Sequence, residues 1–255
     1  MISCVLQYST IDFRFFELNL KQLSKFDSEI IIPICNKLFS GEDENKNLID
    51  QSYEIAKKYN AKIIPFDWQG PDKTTRYYHN LSRQIGTDYC NNDWILFVDT
   101  DEIISDEFKD WFVDNKQLNY GGFWLSCYWY FRQPTYRSKT WEGAGLLTQK
   151  KYCSWNVNAP FERQQLFNKI PNFFHGHYSK ILSKSNQPLV HHFSWVRTKE
   201  EMLAKVKNWG HNNDHGRDWE SLVNEEFSRN FNGTDFVHGY EYDVVEDIFN
   251  IYKKD

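Results

Sequence analysis

The first hundred residues alternate between short apolar runs and longer segments in which apolar residues recur every three to four positions. The short runs predict β-strands, and the periodic segments predict helices with one buried face. This alternation predicts an α/β fold with right-handed crossovers and a mainly parallel central sheet. In chain order, the predicted elements are a strand at 2–8, a helix near 14–25, a strand at 29–35, a helix near 47–59, a strand at 61–66, a helix near 74–89 and a strand at 94–98.

The chain after residue 105 has a less regular pattern. One helix is clearly marked, because Thr198 and Glu201 have the spacing of a capping box and Gly210 can end the helix. The tail after 211 has no strong period. The other predicted elements are a short helix that Ser105 caps and that ends near 112, a long aromatic strand at 122–132 and a strand at 188–195.

No linker rich in proline, glycine or serine divides the chain, and no internal repeat is present. At 255 residues the chain is long enough to bury a substantial core. We therefore predict a single domain over 1–255, with a regular first half at 1–105 and a less regular second half at 106–255.

Composition and charge exclude several classes of protein. The net charge of −5 argues against nonspecific nucleic-acid binding, which requires a basic surface. No apolar stretch approaches the 18 residues of a membrane span, and the N-terminus lacks the basic segment of a signal peptide. Five scattered cysteines without a C-x-x-C pair indicate buried thiols in a reducing compartment, so we predict a cytoplasmic protein.

The most informative segment joins the apolar run at 94–98 to three carboxylates, Asp99, Asp101 and Glu102. Residues i and i+2 of a strand point to the same side, so both aspartates are expected to face the crevice beyond the carboxyl end of the strand. Two such anions are unfavourable together unless a cation joins them, most simply a divalent metal with oxygen ligands. The alternative is a strand end whose aspartates cap the next turn.

The chain resembles glycosyltransferases of the GT-A fold, particularly those of family 2, in the order and spacing of three short motifs. The segment Val98-Asp99-Thr100-Asp101-Glu102 resembles the D-x-D motif that closes the fourth strand. Ser82-Arg83-Gln84-Ile85-Gly86 lies where that family often has A-R-N-x-G-I, with Gln84 in place of Asn. His192-Phe193-Ser194-Trp195-Val196-Arg197 is similar to H-[YF]-[GS]-W-V-R, and a helix with Met202 and Lys205 follows.

The resemblance covers roughly residues 2–210, and it implies a GT-A-like α/β/α sandwich with a less regular C-terminal half that binds the acceptor. It further implies that Asp101 ligates Mn²⁺ or Mg²⁺ and that Asp99 contacts the ribose or completes the metal shell. His192 is the candidate third ligand, and imidazole favours Mn²⁺. Alternatively, His191 and His192 are ordinary strand residues that point to opposite faces.

The same resemblance places a nucleotide-sugar near the ends of the first two strands and the helix at 74–89. Gln7 and Tyr8 are expected at the nucleoside, with Tyr8 stacking on the base. Arg76 and Arg83 are candidates for phosphate or base contacts, although a solvated helix face explains either one alone. Asn36 stands where such families usually have an aspartate, so the identity of the base stays open.

A transferase that inverts the anomeric centre also needs a general base for the acceptor hydroxyl. Glu142 and Glu162 are the candidates in the second half, and Glu142 is preferred because it lies between a tryptophan and a glycine turn. Four tryptophans of that half could form a platform for an acceptor sugar, although most are expected in the core: Trp124, Trp129, Trp141 and Trp155.

Other functions explain fewer of these features. A phosphohydrolase of the haloacid dehalogenase type has its D-x-D motif on the first strand, and a nucleotidyltransferase has a glycine-rich basic loop there. A carbohydrate-binding protein with a degenerate metal site explains the aromatic residues but not the acidic cluster. We therefore predict a metal-dependent glycosyltransferase that moves a sugar from a nucleotide-sugar, with UDP-sugar preferred, to a glycan or another hydroxyl acceptor. The sequence indicates neither the sugar nor the oligomeric state.

Overall fold

In the computed structural model, residues 1–117, 120–158, 170–171, 174–175, 182–208 and 216–252 are described. Their helices are α1 (Phe13–Leu23), α2 (Lys46–Lys58), α3 (Thr75–Tyr89), α4 (Phe108–Asn115), α5 (Lys199–Asn208) and α6 (Trp219–Phe227). Their strands are β1 (Ile2–Gln7), β2 (Ser28–Cys35), β3 (Lys62–Phe66), β4 (Trp94–Asp99), β5 (Glu102–Ile104), β6 (Gly122–Phe131), β7 (Gln133–Gln149), β8 (Phe174–His175), β9 (Val190–Trp195) and β10 (Tyr242–Val244).

All ten strands belong to one sheet with the order β3-β2-β1-β4-β7-β6-β9-β5, and β10 and β8 pair with β7 and β6 off this path. The first four strands are mutually parallel, as expected from their helical crossovers. β7 runs antiparallel to β4 and to β6, while β9 is parallel to β6. The predicted α/β fold is therefore confirmed, and the departure from a parallel sheet lies in the second half. Strands from both sides of residue 105 share this sheet, while the division into two functional halves stays a prediction.

Helices cover both faces of the parallel strands. Leu6, Ile32 and Leu96 point to one face and share a hydrophobic cluster with residues of α1, α2 and α4. Val5 and Phe97 point to the other face, where Ile85 of α3 joins a second cluster. The three layers are therefore helices, sheet and helix, which is the α/β/α arrangement that the family resemblance implies.

Several helix starts follow local sequence, but the prediction that Ser105 caps the next helix is wrong, because α4 begins at Phe108 without a side-chain cap. The side chains of Asn45 and Thr74 accept backbone N–H groups at the starts of α2 and α3. At α5 the predicted capping box is confirmed, because Glu201 N–H donates to Thr198 Oγ1 at 3.3 Å and Thr198 N–H donates to Glu201 at 2.7 Å. The predicted end of this helix at Gly210 lies outside the described residues. None of the helices in the described part is long and apolar enough to cross a membrane.

Several elements of the second half differ from the prediction. The 17-residue strand β7 was not among the predicted elements. The tail forms α6 and β10, which sequence periodicity did not indicate. For β7, one reason is that it pairs with β6 through register shifts, so that its side chains do not keep a strict alternation.

Gly86 sets the distance between α3 and the sheet. A Cβ atom at this position would lie 2.4 Å from Cγ1 of Val5 and 3.0 Å from Cγ of Pro33. We expect Gly86→Ala to lower the free energy of unfolding by about 1–3 kcal/mol, since the added methyl forces the core apart. Urea denaturation measures this change, with Asp88→Ala on the exposed face of the same helix as the control. Equal stability of the two variants would contradict close packing at Gly86.

Candidate active site

The acidic segment forms a tight turn between β4 and β5, and neighbouring elements fix its backbone. Thr100 donates from both its N–H and its Oγ1 to the carbonyl oxygen of Gln7, at 3.0 and 2.6 Å. The amide nitrogen of the fully buried Asn19 lies 2.9–3.3 Å from the carbonyl oxygens of Asp99, Thr100 and Glu102. The middle threonine of the motif therefore connects β4 to β1, and α1 anchors the same turn from the other side.

Asp101 is the buried centre of the site, with its side chain 5% exposed. Lys205 Nζ of α5 donates to its Oδ2 at 3.1 Å, and Arg197 Nη2 lies 3.4 Å from the same oxygen. His192 Nε2 lies 3.5 Å from Oδ1. Burial alone would raise the pKa of Asp101, but Lys205, His192 and Arg197 together hold it well below its usual range. Asp101 is therefore ionised at neutral pH.

Asp99 ends β4 and has a different partner. Arg83 Nη2 of α3 donates to Asp99 Oδ1 at 3.0 Å, and the arginine side chain is 1% exposed while the aspartate side chain is 26% exposed. Glu102 is fully buried and accepts the backbone N–H of Asp99 at 2.9 Å. Each aspartate of the motif is thus paired with a cation of the protein. Arg83 is a buried residue and does not lie on a solvated helix face.

The sheet register separates the two histidines. His192 of β9 is opposite Glu102 and Trp129, whereas His191 is opposite Ile103 and Tyr128 on the other face. His192 consequently lies next to Asp101, and its pKa is raised: burial lowers it, but Asp101 and Glu102 outweigh burial. His191 accepts or donates a hydrogen bond at 2.8 Å with the hydroxyl of Tyr130. The preference for His192 over His191 agrees with this placement, and its role as a metal ligand stays a prediction.

The carboxyl end of β1 meets the polar face of α3. Gln7 is the register partner of Asp99, and its Nε2 lies 2.5 Å from His79 Nδ1. Arg76, His79 and Arg83 have the spacing of one helix face. Arg76 and His79 are half-buried. Gln7 and Arg83 are therefore brought to the end of the sheet where the two aspartates lie, and Arg76 precedes His79 by one turn on the same helix face.

Tyr8 and Asn36 have different surroundings. Tyr8 is 3% exposed, its ring packs on Phe16 at 4.2 Å, and its hydroxyl is 2.6 Å from Ser52 Oγ. This packing gives no support to the prediction that Tyr8 stacks on a base. Asn36 is exposed just beyond β2, where its amide donates to Asp67 and its Oδ1 accepts the N–H of Trp68 at 2.9 Å.

Glu142 of β7 lies on the same sheet face as His192. It is opposite Cys127 of β6, and Trp129, two residues further along β6, is opposite His192. The Trp129 ring makes edge-to-face contacts with His192, at 4.5 Å between ring centroids, and with His238, at 4.6 Å. His238 Nε2 in turn lies 3.9 Å from Glu142 Oε1, so these rings connect Glu142 to the Asp101 cluster. Glu162, the other candidate base, lies outside the described residues.

Most of the tryptophans that were predicted to form an acceptor platform are buried in the core. Trp124, Trp129 and Trp155 are 6–9% exposed, and Trp141 is half-buried. A Cβ atom on Gly143 would overlap the Trp124 indole, at 1.4 Å from Nε1, so this glycine makes room for the ring.

The donor atoms at Asp101 fit a divalent metal in part. Two ligands on adjacent corners of an octahedron, each about 2.1 Å from Mg²⁺, are about 3 Å apart. Asp101 Oδ1 and His192 Nε2, at 3.5 Å, approach this spacing, and Oδ1 is the oxygen that faces away from Lys205. No cluster of three or more potential side-chain ligands occurs among the described residues. A metal here would hence have two protein ligands and take the others from substrate phosphate and water, which is a usual arrangement for Mg²⁺.

Sequence reasoning missed four residues of this region. Arg197 is fully buried and donates to the carbonyl oxygens of Ser194 and Ile11, and it also pairs with Asp12. In the sequence, Arg197 is only the last residue of the motif at 192–197, which gives no sign of its partners. Asn19, His79 and His238 had no local signal, because each approaches the site from an element whose position depends on the tertiary fold.

Comparison with known proteins gives structural similarity only. No protein-family model matches the chain. No curated protein matches it either. Residues 1–349 of S. aureus TarS are 13% identical over 89% of this chain and 72% of that one, with a TM-score of 0.48. The glycosyltransferase GlyE of Streptococcus pneumoniae TIGR4 is 15% identical over 89% and 64%, with a TM-score of 0.40. A 4-diphosphocytidyl-2C-methyl-D-erythritol synthase from Anaerococcus prevotii is 15% identical over 71% and 91%, with a TM-score of 0.39.

Proposed function

We propose that this protein is a metal-dependent glycosyltransferase of the GT-A type that transfers a sugar from a UDP-sugar to a hydroxyl acceptor. The observation that carries the proposal is the buried, ionised Asp101 whose Oδ1 faces His192 Nε2 at 3.5 Å, at the carboxyl end of β4. In open α/β sheets this edge is where ligands bind.

The residues around this point have complementary roles in the proposal. Asp101 and His192 would hold Mn²⁺, and Mn²⁺ is preferred over Mg²⁺ because one ligand is an imidazole. When bound, the metal would neutralise negative charge on the leaving diphosphate. Asp99 would contact the ribose, with Arg83 holding its carboxylate in place.

Binding of the nucleotide would use the end of β1 and one face of α3. Gln7 and Arg76 are the proposed contacts there, and Asn36 is the proposed contact beyond β2. His79 joins them in the proposal because it holds the Gln7 amide at 2.5 Å. On the acceptor side, Glu142 is the proposed general base. We further propose a cytoplasmic location, because all five cysteines are free thiols and four of them are buried.

A thermal-shift titration tests this function. UDP and GDP are each added with Mn²⁺, Mg²⁺ or EDTA to the protein and to Asp101→Ala. A ligand of the native state raises the melting temperature by mass action, so we expect UDP to raise it only with Mn²⁺ and the variant to lose the shift. Because Asp101→Ala itself loses stability, Asp99→Asn serves as a second variant and Glu241→Gln as an unaffected control. If neither nucleotide produces a metal-dependent shift, the transferase proposal is wrong, and a carbohydrate-binding protein becomes the better explanation.

A further inference from the structure

Glu142 has a partner in the C-terminal segment, outside all the motifs described above. His238 Nε2 lies 3.9 Å from Glu142 Oε1, and the two side chains are 29% and 20% exposed. This distance is longer than a hydrogen bond, and a small side-chain rotation would close it. Contacts of catalytic groups are often long in the absence of substrate and tighten when substrate is bound. Both groups are reachable from solvent, as groups that act on an incoming acceptor must be.

The loop that carries His238 is held by one buried carboxylate. Asp235 accepts the backbone N–H groups of Val237, His238 and Tyr240 and the hydroxyl of Tyr242, at 2.6–3.1 Å. Tyr242 begins β10, which pairs with β7, the strand that also carries Glu142. β7 therefore holds both groups: Glu142 belongs to this strand, and the loop of His238 is attached to it through β10.

Aromatic contacts fix the orientation of the imidazole. The His238 ring lies between Trp129, edge-to-face at 4.6 Å, and Tyr240, stacked at 5.1 Å. Burial lowers the pKa of His238, and His192 and Arg217 lower it further, while Glu142 and Asp235 partly oppose them. A neutral imidazole has one N–H donor and one acceptor nitrogen, so it can donate to a carboxylate without adding a charge.

On the basis of the proposed transferase function, we propose that His238 is a positioning residue that aims the carboxylate of Glu142 at the hydroxyl of the acceptor. The acceptor oxygen forms its bond to the anomeric carbon with its own electron pair, and its proton passes to Glu142. The bond from that carbon to the diphosphate oxygen breaks, and its electron pair leaves with the diphosphate. Glu142 then returns the proton to solvent, while His238 keeps the carboxylate in position.

The test uses water as the acceptor, so that the natural acceptor need not be known. Release of UDP or GDP from UDP-glucose, UDP-N-acetylglucosamine and GDP-mannose is measured for the protein and its variants. We expect Glu142→Gln to lower kcat about 100-fold, the lower range for loss of a general base. His238→Gln should lower kcat about 10-fold while leaving the KM for the donor unchanged. Glu241→Gln, on the exposed side of the same region, should have no effect.

The double variant separates positioning from a purely structural role. If His238 acts through Glu142, the variant Glu142→Gln, His238→Gln is no slower than Glu142→Gln alone. If the kcat losses of the two single variants multiply in the double variant, the proposal is overturned. A normal kcat for His238→Gln would also overturn it. A protein that binds neither UDP nor GDP fails earlier, in the thermal-shift titration, and this result would overturn the transferase function together with the pair.

A second measurement requires no turnover. In ¹⁵N-labelled protein, the His238 imidazole is assigned by its absence from the spectrum of His238→Gln. Because Glu142 raises the pKa of His238, Glu142→Gln is expected to lower that pKa further, whereas Glu241→Gln leaves it unchanged. An unchanged His238 titration in Glu142→Gln would show that the two groups do not interact and would overturn the pairing.

Discussion

Replacement of Asp101 by alanine is expected to lower the free energy of unfolding by about 3 kcal/mol, near the lower end for breaking a buried ion pair by removing one partner. The cost arises because Lys205 and Arg197 remain beside the site without the carboxylate they share. Arg197 is fully buried and keeps Asp12 and two carbonyl oxygens, while Lys205 is 11% exposed and has the shorter path to water. We therefore expect a loss in the free energy of unfolding near the lower end of the range for a broken buried ion pair.

Chemical denaturation of Asp101→Ala and three further variants measures this effect. Asp101→Asn keeps the shape of the side chain and removes only its charge, so most of the loss should persist. Asp101→Asn combined with Lys205→Met should recover part of it, since the uncompensated charge is then removed. Glu241→Gln breaks an exposed pair with Lys139 and should change stability by less than about 1 kcal/mol. A loss for Asp101→Ala as small as this control would contradict the buried network.

Acidification is expected to destabilise the protein through His191, by about 3 kcal/mol between pH 7 and pH 4. Burial lowers the pKa of His191 from 6.5 to about 3, and the charge of Arg137 acts in the same direction. The folded state therefore keeps this imidazole neutral over a range in which the unfolded chain binds a proton. Well above pH 6.5 neither state binds this proton and the group contributes no pH dependence; as the pH decreases through 6.5 toward 3, stability falls.

Comparison with His191→Gln isolates this contribution. Glutamine retains hydrogen-bonding capacity toward the hydroxyl of Tyr130 but does not titrate, so the variant should be less stable than the original at pH 7 and lose less on acidification. Denaturation curves at intervals between pH 4 and pH 7 measure both slopes. Parallel pH dependences would mean that His191 is protonated in the folded protein or accessible to water.

The sequence predicted the first half of the fold well because each element there repeats one simple pattern. Apolar runs such as 94–98 became parallel strands, and helices began at polar caps such as Thr74. β7 was missed because glycines at 143 and 145 and polar residues at its exposed end hide the alternation. α6 and β10 were missed because their apolar residues contact a cluster assembled from several distant segments.

Local sequence also indicates some residues of the candidate site, while the others depend on the tertiary fold. Asp99, Asp101 and His192 belong to contiguous motifs, so local sequence identified them. Arg83 was also indicated, and its partner Asp99 became known only from the structure, in which α3 packs across β1 and β2. His238 lies 96 positions after Glu142, and only the pairing of β10 with β7 brings its loop to the glutamate. Such contacts depend on long-range pairing, for which a single sequence has no periodic signal.

The neighbouring histidines of β9 have a consequence for insertions and deletions. His192 points to the site and His191 to the opposite face, where it meets Tyr130. An insertion of one residue within β9 before His191 that kept the strand paired would exchange these faces, placing His191 beside Asp101 and turning His192 toward the apolar cluster on the opposite face. A change of two residues would preserve the faces. The number of residues inserted into or deleted from this strand must therefore be even as well as small. The loops at the ends of the strand do not have this constraint.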